Sequence, residues 1–167
     1  MKRWFAVFCK TGQERLAEGN LLNQGFTTYL PRLALRKRSG GKNVAVTVPM
    51  FPGYLFVQVD LERTPWRAIN STFGVRRIVS FGERPAPLPE GAIEEIRARE
   101  DADGIIRLPK VAPFQKGETV EFADGPMSDV KAMFTVPSGT ERVIVLMNLL
   151  GRQVPVRVDQ DRLRRAS

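Results

Sequence analysis

Any chemistry this chain performs rests on cations, amides and aromatic rings, because the usual catalytic and metal-binding side chains are scarce. There is no His, and Cys9 is the single cysteine. A His/Cys zinc site, a Ser/His/Asp triad and an internal disulfide are excluded by those counts. Three groups of residues remain. Gln13, Asn20 and Asn23 form the polar side of a helical stretch that follows directly on Lys10. Arg36-Lys37-Arg38-Ser39-Gly40-Gly41-Lys42 places four positive charges and no acid in a turn, a good finger for phosphates, though a solvated basic turn is the plainer reading. Tyr54, Phe56 and Gln58 share one face of an alternating run whose other face is Leu55, Val57 and Val59. The aliphatic face reads as core; the aromatic face needs a covering helix or a partner. The acidic pairs Glu14/Glu18 and Glu94/Glu95 lie on helix faces beside Arg15 and Arg99, where ion pairing accounts for them. No glycine loop that would cradle a phosphate is seen, and the sequence calls for no catalytic residue, metal or cofactor.

The charge is localised. Of 26 basic and 18 acidic residues, 14 and 5 fall in residues 1–88, 4 and 6 in 89–113, and 8 and 7 in 114–167. Net charges of +9, −2 and +1 follow, so the +8 of the chain belongs to its first half. Such a field attracts polyanions, of which nucleic acid is the commonest in a cytoplasm; a basic solvated surface is the alternative. Eleven of the 14 aromatic residues also lie in 1–88. The chain turns polar after Phe8, and no run of 18 apolar residues occurs, so a soluble cytoplasmic protein with no membrane partner is expected.

These residues need elements to hold them. Residues 4–10 read as a central strand, 13–24 as a helix stopped by Gly25, and 26–30 as a strand. Residues 33–48 read as a β-hairpin, 54–59 as a strand, 64–71 as a short helix, 76–81 as a strand and 89–101 as a helix with Ile93 and Ile96 inward. Asp103 to Pro113 has weak periodicity and reads as linker. Short strand candidates follow at 119–122, 131–135, 143–147 and 153–158, separated by turn signals, the pattern of a small β-barrel. The expected class is α+β: a mixed α/β sandwich over 1–101, a linker over 102–113 and a β-barrel over 114–167.

Three runs stand out in order along the chain: Trp4-Phe5-Ala6-Val7-Phe8-Cys9-Lys10 with Gly12-Gln13, Phe51-Pro52-Gly53-Tyr54-Leu55-Phe56-Val57, and Ile69-Asn70-Ser71-Thr72-Phe73-Gly74-Val75. In their wording and order the chain resembles the NusG family of transcription elongation factors, and within it the RfaH-like branch. Phe114-Gln115-Lys116-Gly117-Glu118-Thr119-Val120 then resembles the opening of a KOW module, with Met127, Val130 and Ala132 departing from that pattern. The resemblance implies a non-enzymatic antitermination factor, monomeric, whose first domain docks on the β′ clamp helices of bacterial RNA polymerase. The matching positions are Phe8, Phe51, Pro52, Tyr54, Phe56, Ile93 and Ile96. It implies suppression of pausing and operon-specific recruitment, by reading of the non-template DNA strand through Lys10, Gln13, Asn20, Asn23, Thr72, Phe73, Gly74, Val75 and Arg76, to which the basic finger of Arg36, Lys37, Arg38 and Lys42 is added. Phe73 stands where such relatives have a basic residue, and Asn20 where they have a titratable one. Pro65-Trp66-Arg67-Ala68 replaces a threonine-rich stretch used against the polymerase β subunit.

For the second domain the resemblance implies a KOW-type barrel that tethers Rho or a small-subunit ribosomal protein, or, in some relatives, a helical hairpin that masks the polymerase site. Residues 141–150 fit both forms: Val143, Leu146, Met147 and Leu150 make a helical stripe, while β-branched residues favour a strand. Gly125-Pro126 interrupts the other half of such a hairpin. The expectation is therefore a resting barrel without a helical mask. Two other functions fit the residues: a general elongation factor without sequence preference, and an RNA- or ribosome-binding KOW protein.

Overall fold

The structure, a computed structural model, describes residues 1–108 and 126–152. In chain order its elements are β1 (Arg3–Cys9), α1 (Glu14–Asn23), β2 (Thr27–Tyr29), β3 (Arg32–Ser39), β4 (Lys42–Pro49) and β5 (Tyr54–Val59). A 3-10 helix (Trp66–Ser71), β6 (Val75–Ile78), β7 (Ser80–Phe81), β8 (Arg84–Pro85), α2 (Ala92–Arg97) and β9 (Ile105–Ile106) follow. Two helices, α3 (Pro126–Ala132) and α4 (Gly139–Arg152), complete the described chain.

The central sheet has the order β2-β5-β1-β6 and is antiparallel throughout. Pairing of Ala6 with Phe56 and of Phe8 with Tyr54 fixes its faces, since residues two apart in a strand point the same way. Phe5, Val7, Leu55, Val57 and Val59 pack with Ala17, Leu21 and Ile69, so α1 and the 3-10 helix cover the aliphatic face. Trp4, Ala6 and Phe56 belong to a second core with Ile93 and Ile96 of α2, Leu33 at the root of the β3–β4 hairpin, and Leu146, Leu149 and Leu150 of α4.

The α+β class and the N-terminal order of elements agree with the sequence reading, with local differences. The last strand breaks into β6 and β7, and the helix expected to reach 101 ends at Arg97. Ile105–Ile106, within the segment expected to be linker, pairs in parallel with Arg32 and Leu33, and Ile106 is buried. The first body thus extends past residue 101. Asp101 turns the chain into this strand, its Oδ1 accepting the amides of Asp103 (2.9 Å) and Ile105 (3.1 Å).

The larger correction concerns residues 126–152: the strand expected at 143–147 is replaced by α4, and the one expected at 131–135 by the end of α3 and the turn that follows it. Pro126 opens α3, where its missing N–H would have no helical acceptor in any case, so it starts the helix that it was expected to break. Ser138 caps α4: its Oγ accepts the amide of Glu141 at 3.1 Å, the spacing of a capping box. The strands expected at 119–122 and 153–158 lie outside the described residues.

Candidate functional site

The residues expected to receive the polymerase do gather in one place. Phe51 and Phe56 meet edge to face with centroids 5.5 Å apart, Phe8 stacks on Tyr54 at 5.1 Å, and Ile93 and Ile96 form the floor. A left-handed glycine holds the turn that leads into β5: Gly53 has φ +86° and lies under the Phe8 ring. Burial raises the pKa of the Tyr54 hydroxyl, with Arg77 acting against the shift.

This face is occupied by the chain's own helices. Phe51 and Phe56 share a buried core with Val130, Met133, Phe134, Leu146, Leu149 and Leu150. A Cβ at Gly139 would fall 2.6 Å from Cγ of Pro52, so α4 approaches the Phe51-Pro52-Gly53 turn as closely as a glycine permits. Arg99 lies 4.0 Å over the Phe134 ring, tying the turn after α2 to the segment after α3. The two helices are tied to each other by the Arg152–Asp129 ion pair at 3.2 Å. The expectation of no helical mask is therefore corrected. The stripe facing the sheet is Arg142, Leu146, Leu149 and Leu150, with Val143 and Met147 only half-buried beside it.

The candidate nucleic-acid face lies around α1 and the loop before β6. Gln13 and Asn20 are half-buried there, and Lys10, Asn23, Phe73 and Arg76 are exposed, Phe73 by 81%. Asn20 Nδ2 donates to the Phe73 carbonyl (3.2 Å), and the Lys10 amide donates to the Gly74 carbonyl (2.8 Å). Gly74 has φ +89°, and a Cβ there would lie 2.9 Å from the Ala17 backbone nitrogen, so this loop is pressed onto α1 and the phenyl ring turns outward. Thr72, Gly74 and Val75 are buried, a correction to their expected role at the surface. Thr72 Oγ1 donates to the Ala68 carbonyl (2.9 Å) and accepts from Gln24 Nε2 (2.8 Å), so it holds the loop. Arg76 and Arg77 lie 5.7 and 5.9 Å from the centre of the Phe8 ring, which places cations between the two faces. The basic finger stands apart on the β3–β4 hairpin, with Arg36, Lys37, Arg38 and Lys42 all exposed.

Two residues escaped the sequence reading. Ion pairing with Arg15 on a helix face was the expected account of Glu14, but its side chain is 9% exposed and its Oε1 accepts the Gly53 amide at 2.9 Å. It links the start of α1 to the turn beside the covered face. Arg142 is 2% exposed, its Nε donating to the Met50 carbonyl (2.8 Å) and its Nη1 to that of Val136 (3.3 Å). Burial lowers its pKa. Its spacing from Leu146, Leu149 and Leu150 was the available signal, but an arginine is not counted in an apolar stripe. Among the described residues no group of three or more acidic or cysteine side chains could hold a metal, and no helix is long and apolar enough to cross a membrane.

Comparison with known proteins gives the family of the chain. The family described as "Transcription termination factor nusG" matches residues 2–97. The "Transcription termination/antitermination protein NusG" of Thermus thermophilus is 31% identical, covering 93% of this chain and 94% of its own. The Deinococcus radiodurans protein of the same description is 30% identical, covering 93% and 95%. A solved structure described as "Domain interaction in Thermotoga maritima NusG" aligns with a TM-score of 0.42 at 22% identity, over 57% of this chain and 55% of that one. With its N-terminal body matched by the family and nearly its whole length by these relatives, the chain belongs to the NusG family of transcription factors.

Proposed function

We propose that this protein is a non-enzymatic elongation and antitermination factor that docks its aromatic face on the β′ clamp helices of bacterial RNA polymerase and rests with α3 and α4 on that face. One observation carries the reading: Phe51 and Phe56 are buried in the same core as Leu146, Leu149 and Leu150. A hollow that seats two of the chain's own helices has the shape and apolar lining to seat another helical pair, and a few buried aromatic anchors supply most of such an affinity. Pro65-Trp66-Arg67-Ala68 adds a contact to the β subunit. Lys10, Asn23 and Arg76 then face the exposed non-template strand with Phe73, and the Arg36–Lys42 finger contacts phosphates. The C-terminal module, once released, tethers Rho or a small-subunit ribosomal protein.

Binding of the full chain to purified polymerase tests this. Gly139→Ala adds the methyl that collides with Pro52 and should increase binding by freeing the face. Tyr54→Ala in that background should reduce it again. Loss of free-RNA affinity with unchanged polymerase binding would instead assign the face to RNA.

Phe73 favours a variant of this reading. An exposed ring stacks on any base, whereas Thr72, a group able to discriminate by hydrogen bonding, is buried and engaged within the protein. Recruitment with little sequence preference is thereby favoured, and paused complexes with randomised non-template strands should bind about equally. A strong preference for one sequence would return the assignment to operon-specific recruitment.

A further inference from the structure

On the flank of α1 away from the Phe73 loop lies a polar cleft of about 530 Å³, lined by Arg15, Glu18, Tyr29, Arg32, Arg97 and Glu100 among others. Its three guanidiniums come from three elements, α1, β3 and α2. Among the described residues none of the three takes part in an ion pair, although two carboxylates share the cleft. One of these is already engaged, since the Tyr29 hydroxyl donates to Glu100 Oε1 at 2.9 Å. The other, Glu18, is half-buried, and burial raises its pKa against the opposing pull of Arg32 and Arg15. Arg97 is also fixed in position, its guanidinium 4.7 Å from the centre of the Tyr29 ring and 5.2 Å from that of Trp4. A cation held in this way loses little side-chain freedom when a ligand arrives.

We infer that this cleft is a phosphate-binding site, with Arg15, Arg32 and Arg97 converging on one phosphoryl group. Planar guanidiniums match phosphate oxygens in paired hydrogen bonds, and three of them exceed what a single carboxylate needs. The volume suits a ligand of mononucleotide size, and the polar lining disfavours an apolar one. The phosphate has two possible sources: a free nucleotide, or the backbone of a single strand that crosses α1 from the Lys10 and Asn23 side. The second source rests on the strand contact proposed above; the first does not.

Both arms use the full chain and the double variant Arg15→Gln/Arg32→Gln, with Arg63→Gln as a control at an exposed arginine outside the cleft. If the source is a free nucleotide, ADP binds the parent chain in calorimetry, and the double variant binds at least about tenfold more weakly, the effect of removing charge-assisted hydrogen bonds. If the source is a strand, ADP fails to bind. A single-stranded oligodeoxynucleotide then shows a log–log salt slope reduced by about 0.7 in the double variant, the contribution of the one single-strand phosphate held by the cleft. Unchanged thermal midpoints among the variants show that neither effect is unfolding; if the double variant does not fold, the exposed single variant Arg15→Gln serves, with a smaller slope change in the same direction. Absence of both effects, with the parent chain folded, overturns the site. A Lys10→Gln/Arg76→Gln variant separates the two proposals: an oligodeoxynucleotide affinity it leaves unchanged refutes the strand contact, whatever ADP does at the cleft.

Discussion

On one face of the central sheet, Phe5, Val7, Leu55 and Val57 meet Ala17 and Leu21 of α1, a helix that starts a few residues after β1 ends. On the other face, Phe51 and Phe56 meet Leu146, Leu149 and Leu150, and Arg142 reaches Met50 across 92 residues. The two covers bury similar kinds of side chain but differ in how the chain delivers them. A local cover closes a short loop and forms with the sheet as one cooperative unit. A distant cover adds its burial separately, so its loss leaves a folded sheet with an apolar face open to another partner.

The comparison is broken most directly by truncating one side chain on each face. Phe5→Ala, on the local side, should cost about 3–5 kcal/mol and lower the unfolding midpoint of the whole N-terminal body. Leu149→Ala, on the distant side, should cost about 2–5 kcal/mol, but in docking of the helices. Amide exchange should then quicken in α4 while the amides of β1 and β5 keep their protection. If both variants lower one common midpoint by similar amounts, the two faces form a single unit and the exchangeable cover is lost as an idea.

This difference also explains what could be read from the residues. The strand pattern of 54–59, the hairpin turning at Gly40 and Gly41, and the need of the aromatic face for a cover were all visible, because each depends on near neighbours. The identity of the cover was not. Residues 143–147 carry β-branched side chains that favour a strand locally, and the helix is selected by packing against Phe51 and Phe56, far away in sequence. The capping box of Ser138 and Glu141 was a local sign of that helix, but it was hidden within what reads as a Pro-Ser-Gly turn. Burial of Thr72 escaped for a related reason: Gln24, which donates to its hydroxyl, comes from the end of α1, far away in sequence.

Arg142 sharpens the contrast, since a buried cation belongs to the distant cover. Among the described residues it has backbone carbonyls as partners and no ion pair. Burying an ion costs several kcal/mol, whereas orphaning the Met50 carbonyl costs about 1–3 kcal/mol. Arg142→Met keeps the length and apolar character of the stem, so docking should strengthen by about 1–2 kcal/mol. Slower amide exchange in α4, together with weaker polymerase binding, would bear this out. Faster exchange would mean that the two hydrogen bonds outweigh the burial of charge.

Cys9 provides the finest probe, because it reports on the local cover alone. It is buried on the aliphatic face, and desolvation, followed by the nearby Glu14 carboxylate, pushes its thiol up from 9.0 to about 12. The folded value lies above the unfolded one, so the protonated thiol contributes its stability in full below pH 9 and loses it as pH rises toward about 12. The unfolding midpoint should therefore fall more steeply across that interval than in Cys9→Ala. At pH 8 the thiol should react with a disulfide reagent only through opening of the body around it. Leu149→Ala should leave that rate unchanged, because it releases only the distant cover. Phe5→Ala should raise it by about 100-fold, the factor corresponding to roughly 3 kcal/mol of lost stability. Equal acceleration in both variants would show that opening one face opens the other.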